Sequence, residues 1–506
     1  MERLLNIQPN PDPLFPFVVR AIVHVPQEKS TKLDARVTEC ILLTYPKSGK
    51  VWTFLNVPSR RIFTSTSAVF ADYQHLTVAT NTKKGNVAFI LNHLRLGEPE
   101  FTLTSPGIES EIQPSHARFD VNAAYLDSPI GEDVFVQAPV ELRPELAGKV
   151  MKLKKTLYGT KQAAWCWWQY SRSVMESLGF CGDEIKPSIY LFKRHGAFVI
   201  VWAHVDNGIV LSNSANALTS LKTKLKMKLK LNWSNHVDKI VGLNIGMGTG
   251  KLEISQPLLT KQLLDNYHRP IRDQFMNLPD RQIVTNEGQL IDQTRYQSVL
   301  SSLMYLSLGS RPDITYAVNL LARFSSNPGQ KHWEGLDHLI GYLCRHQHQP
   351  LIYNKKDQGL LLWTDANWGG EHERSTSGFM VKAFGNLIAR GSKQQHVVAM
   401  STCASEYVAQ VSGMQLMAYI RLVAEPILSQ IPLTIHCDNK AAIMIAEDNL
   451  SKKRTKYLDR EVYFVNNFVQ QFNVKLQWMP TAIQHADVLT KSVGQVKMGK
   501  EREQLV

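Results

Sequence analysis

Leu360-Leu361-Leu362-Trp363-Thr364-Asp365-Ala366-Asn367-Trp368 is the stretch on which the fold of this chain turns. Four apolar residues in a row suit a buried strand, and the strand delivers a carboxylate, Asp365, at or near its end. Later stretches repeat the theme. Glu406 stands within Ser401 to Ala418, where small and apolar residues recur at helical spacing. Asp438 closes the apolar run Leu433-Thr434-Ile435-His436-Cys437, and Asp487 follows the strand Val474 to Met479, where it is expected to open a terminal helix. From Gly359 to Val488 the alternation predicts an α/β unit. Acids at strand ends and helix starts can meet at one edge of such a sheet. Hydrolysis of a phosphodiester by two Mg²⁺ ions needs such a cluster of hard oxygen ligands, because one ion activates water while the other stabilises the leaving oxygen. Any one of these acids, taken alone, could equally cap a helix or face solvent.

The composition sets the frame. The chain has 506 residues, 44% hydrophobic and 20% charged, an ordinary globular content for a multi-domain protein. Lys+Arg 57 against Asp+Glu 44 leaves a net charge of +13, which favours a polyanionic partner such as nucleic acid. The cysteines (Cys40, Cys166, Cys181, Cys344, Cys403, Cys437) form no C-x-x-C pair, so neither a zinc module nor a disulfide framework is indicated, and a reducing compartment fits. Met1 to Pro16 lacks a basic start leading into an apolar core, and no apolar run approaches a membrane span. The expectation is a soluble intracellular protein of cytoplasm or nucleus with no membrane partner.

Upstream, Arg20 to Val25, Glu39 to Tyr45, Val51 to Val57 and Arg61 to Phe70 are short β-rich runs between Lys, Pro and Gly turns, which suggests a small β-barrel. Ala71 to Ser115 has weak periodicity and is taken as a connector, with a helix near Val87 to Leu96. Between Phe119 and Leu264, strand-like runs around Phe135, Phe198 to Val201 and Ile209 to Leu211 alternate with amphipathic stretches at Ala163 to Leu178 and Leu218 to Leu229. Tyr296 to Tyr342 carries apolar positions at helical spacing, with Pro312 and Pro328 as breakers.

At this point the residues carry a family resemblance. Thr364-Asp365-Ala366-Asn367-Trp368, Ser375-Thr376-Ser377-Gly378, Ser405-Glu406-Tyr407, Cys437-Asp438-Asn439, Arg454-Thr455-Lys456 and Ala486-Asp487-Val488-Leu489-Thr490-Lys491 resemble, in order, the motifs of the ribonuclease H domain of copia-type retrotransposon Pol polyproteins. The resemblance implies that Asp365, Glu406, Asp438 and Asp487 hold Mg²⁺, with Mn²⁺ as the alternative, and cleave the RNA strand of an RNA–DNA hybrid. Tyr457 stands where the family has His.

Further upstream, Phe119-Asp120-Val121-Asn122-Ala123-Ala124-Tyr125-Leu126 resembles the first catalytic motif of the family's reverse transcriptase. Asp120 would bind the catalytic Mg²⁺, and Tyr125 would lie under the sugar and exclude a 2′-hydroxyl. Lys154 to Trp165 resembles the segment that positions template and nucleotide, implying nucleotide contacts for Gly159, Lys161 and Gln162; Thr160 and Ala164 replace the usual Leu and Pro. Pro187-Ser188-Ile189-Tyr190 also matches, with Lys186 at a usual Asp. Ala203-His204-Val205-Asp206-Asn207 is similar to the Tyr-Val-Asp-Asp hairpin, with Asp206 kept as a metal ligand and Asn207 in place of the third acid. Losing a carboxylate beside a triphosphate is expected to cost of order 10²-fold or more in rate. The connector also holds no Arg-Tyr-Lys-Ala-Arg-Leu-Val-like fingers segment, so an impaired polymerase is expected.

Val23-His24-Val25-Pro26, Lys32-Leu33-Asp34 and Val69-Phe70 resemble the β-domain that follows the integrase core, which implies no strand transfer by this chain. The resulting expectation is a multi-domain α/β protein: an integrase C-terminal-like β-barrel piece at 14–75, a connector at 76–115, an α+β palm and thumb at 116–265, a helical connection at 266–357 and a ribonuclease H-like mixed sheet with helices at 358–495. The expected partners are RNA, DNA and their hybrid. Lys222, Lys224, Lys226, Lys228 and Lys230, interleaved with Leu221, Leu225 and Leu229, fit either a solvated helix face or a backbone-gripping one. Lys152, Lys154, Lys155 and Lys161 beside Trp165, Trp167 and Trp168 suit stacking and phosphate contact. Cys344, His346 and His348 match no common metal spacing, and His332 with Trp333 reads as core packing. Two functions remain: a Mg²⁺-dependent ribonuclease H on a retroelement remnant, or a catalytically silent nucleic-acid-binding remnant.

Overall fold

A computed structural model describes residues 115–137, 145, 148–182, 187–194, 196–267, 269–271, 275, 277–279, 291–354, 359–369, 373–424, 428, 431–447 and 459–505, together with the backbone of short strands between Arg20 and Phe70. The expected helix near Val87, the Lys32-Leu33-Asp34 motif, Lys186 and Arg454-Thr455-Lys456 with Tyr457 lie outside the described residues. The chain divides into two compact units, one of residues 102–257 and one of residues 1–101 with 258–506.

Strands β1 (Arg20–His24), β2 (Val37–Thr44), β3 (Trp52–Asn56), β4 (Ile62–Ser65) and β5 (Ala68–Phe70) pair antiparallel in the order β4-β3-β2-β1-β5. The β-rich runs of the sequence thus pair into one sheet.

In the unit of residues 102–257, β6 (Ser115–Val121) is followed by α1 (Ala124–Asp127), the paired β7 (Phe135–Gln137) and β8 (Val150–Lys152), and α2 (Ala163–Ser177). Then come β9 (Cys181–Gly182), β10 (Ile189–Arg194), β11 (Ala197–His204), β12 (Asn207–Ser212), α3 (Ala215–Lys228) and β13 (Leu231–Ser234). The short strands β14 (Lys239–Ile240), β15 (Leu243–Gly248) and β16 (Lys251–Ser255) follow. A six-stranded antiparallel sheet runs β13-β6-β12-β11-β10-β9. Along β6 the side chains alternate: Ala117, Phe119 and Val121 are buried, whereas Arg118 and Asp120 point to the other face. Leu218, Leu221 and Leu225 of α3 and Trp167, Val174 and Met175 of α2 join Phe119, Val199, Val201 and Val210 in the core. Removing such side chains from water is the main stabilising term, at roughly 25 cal/mol per Å².

In the other unit, α4 (Pro257–Asp265), α5 (Gln293–Gly309), α6 (Thr315–Ala322) and α7 (Gln330–Arg345) precede β17 (Leu351–Asn354), β18 (Leu360–Asn367), β19 (Thr376–Ala383) and β20 (Asn386–Gln394). After these come α8 (Thr402–Val423), β21 (Leu433–Cys437), α9 (Lys440–Glu447), α10 (Asp459–Gln471), β22 (Lys475–Trp478) and α11 (Gln495–Leu505). The sheet order is β20-β19-β18-β21-β22; β18 is antiparallel to β19 and parallel to β21, and β21 is parallel to β22. One face packs on Tyr407, Val411 and Met414 of α8 and on Phe468 of α10. The other meets the apolar stripes of α5, α6 and α7 with Met498 and Leu505 of α11. With both faces covered, every residue of β19 is buried. Pro312 opens a short 3-10 turn, Pro312–Ile314, between α5 and α6, while His332 and Trp333 are buried in the core. Among the described residues no helix is long and apolar enough to cross a membrane.

Candidate active site

Asp365 and Gly378 face each other across the β18–β19 pair. A Cβ at Gly378 would meet Thr490 Cγ2 at 2.5 Å and the Ala486 carbonyl at 3.0 Å. Glycine there lets the 3-10 segment His485–Leu489, which bears Asp487, lie directly on the strand opposite Asp365. The expected start of the terminal helix at Asp487 is therefore corrected: Asp487 sits in this short turn, and the helix begins at Gln495. The turn is held by Gln484, whose Nε2 donates to the Thr364 carbonyl at 2.9 Å, and by Thr490, which donates to Asp365 Oδ2.

Helix α8 starts at Ser401, whose hydroxyl accepts from the Ala404 N–H at 3.2 Å. Gly413 lets it approach β18, where a Cβ would stand 2.9 Å from Thr364 Cγ2. That close approach sends Glu406, 7% exposed, into the sheet edge with its Oε2 unpartnered. Asp438 follows β21; its Oδ2 accepts from Thr481 Oγ1 at 2.7 Å, and its carbonyl from Trp478 Nε1 at 2.9 Å. Donor atoms of Glu406, Cys437 and Asp438 lie within 4.8 Å of one another.

The electrostatics bind the acids into one system. Burial pushes the Asp365 carboxyl up to about 7, with Lys491 opposing and Asp487 adding to the rise. Burial, then the charges of Asp365 and Asp438, pushes Glu406 well above the usual carboxylate range. Burial, then Glu406, pushes the Cys437 thiol up to about 12, which keeps it protonated and leaves hard oxygens as the donors. Lys491 Nζ lies 2.8 Å from Asp487 Oδ1, an ion pair outside hydrogen-bond geometry, and 3.9 Å from Asp365 Oδ2. Burial works against its charge, but the two carboxylates outweigh that and raise its pKa. The structure thus gathers Asp365, Glu406, Asp438 and Asp487. Sequence reasoning missed Thr481, Gln484 and Lys497, and Lys497 donates to Asp487 Oδ2 from α11. A lysine reaching back from the next helix leaves no periodic signal.

The residues fit a divalent cation. Glu406 Oε2 is a buried acceptor without a donor, which is costly for a protein interior unless a cation meets it.

In the other unit, Asn207 pairs with Asp120 across β12 and β6, and with His204 across the hairpin. Val205 in the turn has φ 55°, a strained value for a β-branched residue, and its carbonyl accepts from Trp167 Nε1 at 2.6 Å. Asn207 Nδ2 donates to Asp206 Oδ1 at 2.8 Å, so the amide occupies the one carboxylate left in the hairpin. Tyr125 and Tyr158 rings lie 4.7 Å apart, and Thr156 donates to the Tyr125 carbonyl, which joins the 154–165 segment to α1. Gly159 has φ 89°, a backbone conformation that glycine adopts without strain. Gln162 Nε2 contacts Glu132 Oε2 at 3.4 Å, and Lys161 is exposed. Trp165 stacks on Trp168 at 4.9 Å. On α3 the leucines face the core, with Lys224, Lys226 and Lys228 exposed. Cys344, His346 and His348 form no candidate metal group among the described residues, and His346 Nε2 instead lies 2.9 Å from Arg502 Nη1.

Residues 108–269 match the family model described as reverse transcriptase (RNA-dependent DNA polymerase), and residues 19–84 match the retroviral polymerase SH3-like domain. The chain is 29% identical over 395 residues to the retrovirus-related Pol polyprotein from transposon TNT 1-94 of Nicotiana tabacum, covering 74% of this chain and 30% of that one. It is 28% identical over 385 residues to the Pol polyprotein from transposon RE1 of Arabidopsis thaliana, covering 74% of this chain and 26% of that one. It therefore spans less than a third of the length of these relatives. Among solved structures, the foamy viral protease-reverse transcriptase bound to double-stranded DNA is 12% identical, with a TM-score of 0.42 over 72% of this chain and 57% of that one, too distant to bear on the site.

Proposed function

Because the chain belongs to the copia-type retrotransposon Pol polyproteins, we propose that its C-terminal carboxylate cluster cleaves the RNA strand of RNA–DNA hybrids with Mg²⁺ or Mn²⁺, beside a polymerase site that is impaired. The observation that carries this reading is the convergence of Asp365, Glu406, Asp438 and Asp487, with a buried and unpartnered oxygen on Glu406. Glu406, Asp438, Asp365 and Asp487 would hold the cations, which supply an activated water and a stabilised leaving oxygen when bound. Burial pushes the Asp365 and Glu406 carboxyls up, so binding of a cation to them would release protons. Thr481 and Thr490 fix the orientation of Asp438 and Asp365 through hydrogen bonds. Beside Asp438, Lys440 Nζ lies 4.5 Å from the centre of the exposed Trp478 ring, and this cationic, aromatic rim suits a phosphate and sugar of the substrate strand.

Asn207 supports the second half of the proposal: an amide donating to Asp206 lowers the negative charge available to a cation beside Asp120. The test of the nuclease is incubation with a hybrid labelled in its RNA strand, in Mg²⁺, against Asp438→Asn. Cleavage confined to the RNA strand, lost in the variant, is expected. RNA that stays intact, or is cut equally by both proteins, rejects the proposal.

A further inference from the structure

The two sides of the carboxylate cluster are neutralised differently. On one side Glu406 Oε2 is buried without a partner, and Asp438 gives up only Oδ2, to the neutral hydroxyl of Thr481. On the other side Asp487, 2% exposed, has an ammonium at each oxygen: Lys491 Nζ at 2.8 Å from Oδ1 and Lys497 Nζ donating to Oδ2. Lys491 stands four residues beyond Asp487, just past the end of the same turn, whereas Lys497 comes from α11 and also donates to the Thr481 carbonyl at 3.0 Å. Thr481 is the residue whose hydroxyl holds Asp438, so Lys497 bridges the loop of one acid to the carboxylate of another.

We propose that Lys497 is the resident counter-cation of Asp487 and makes the cluster fill in a fixed order: a divalent ion enters beside Glu406 and Asp438 first, and beside Asp365 and Asp487 only after Lys497 has left the carboxylate. The inference rests on the metal-dependent reading above. An ammonium seated on Asp487 Oδ2 repels a divalent ion brought to the same carboxylate and holds the lone pair nearest it, and the ammonium sits on a flexible four-carbon stem that can swing away. The divalent ion must therefore displace a charge-assisted hydrogen bond, which weakens its apparent affinity about ten- to hundredfold.

Calorimetric titration of Mn²⁺ into the full chain, without nucleic acid, reads this directly. The wild type is expected to bind in two phases, a tighter one lost in Asp438→Asn and a weaker one lost in Asp487→Asn. Lys497→Gln should leave the tighter phase alone and strengthen the weaker one about ten- to hundredfold. Lys497→Arg, which keeps the charge, should leave the weaker phase weak. An unchanged weaker phase in Lys497→Gln overturns the inference while the metal-dependent reading stands. So does a gain in Lys497→Arg equal to that in Lys497→Gln, or a single wild-type phase lost alike in both acid variants. Mn²⁺ binding that ignores both Asp438→Asn and Asp487→Asn removes the metal-dependent reading and the inference together.

Discussion

The proposal for the polymerase site rests on one atom pair, Asn207 and Asp206. The Asn207 amide nitrogen donates to Asp206 at 2.8 Å, whereas a carboxylate would repel Asp206 and draw in a cation. The proposal predicts that primer extension on an RNA template is undetectable in the wild type and becomes measurable in Asn207→Asp. No extension by the variant would move the lesion to the residues ahead of Asp120. The four acids of the C-terminal cluster were picked out by the ordered motifs they stand in, since the apolar runs and the helical spacing put them near strand ends and a helix but left each one free to cap a helix or face solvent. The setting of Asp487 was misread for a physical reason. A 3-10 turn of five residues, held by Gln484 and by close packing on Gly378, has no repeat length that a pattern can show.

At the scale of elements, the turn between α5 and α6 matters to the whole C-terminal unit. Arg311 and Asp313 are both buried there, joined by two hydrogen bonds of 2.9 and 2.7 Å, and Tyr342 donates to Asp313 at 2.9 Å. Arg311 also donates to the His346 carbonyl, so the turn is stapled to the end of α7. Truncating the acid would leave a buried, unpaired guanidinium. Asp313→Ala is expected to lower stability by about 3–5 kcal/mol, read as a shift in the urea midpoint; a shift within experimental error would show that the pair contributes nothing. The sequence showed Pro312 only as a breaker. The buried setting of this ion pair was not legible, because its partners at the end of α7, Tyr342 for Asp313 and His346 for Arg311, lie 29 and 35 residues away.

For the whole molecule, the buried acids couple stability to pH. Burial pushes the folded Asp365 carboxyl up to about 7, against an ordinary 3.8. Between those values the folded chain holds a proton that the unfolded chain has released, so this group's contribution to stability is lost as pH rises from about 4 to about 7. On the metal-dependent reading proposed above, divalent cations would bind the deprotonated acids and restore it. Thermal melts should therefore show Mg²⁺ raising the melting temperature more at about pH 8 than at about pH 5; an equal rise at both would disconnect the cation from these carboxylates.

The most direct measurement is the single-turnover rate of RNA cleavage in an RNA–DNA hybrid by the wild type and by Glu406→Gln. Burial pushes the Glu406 carboxyl well above the usual carboxylate range, and Gln keeps its shape while removing a charged oxygen ligand, so the rate reports the lost ligand. The account predicts Mg²⁺-dependent cleavage by the wild type and a loss of about 10²-fold or more in the variant. Equal rates in the two proteins, or cleavage that persists in a chelator, would contradict it.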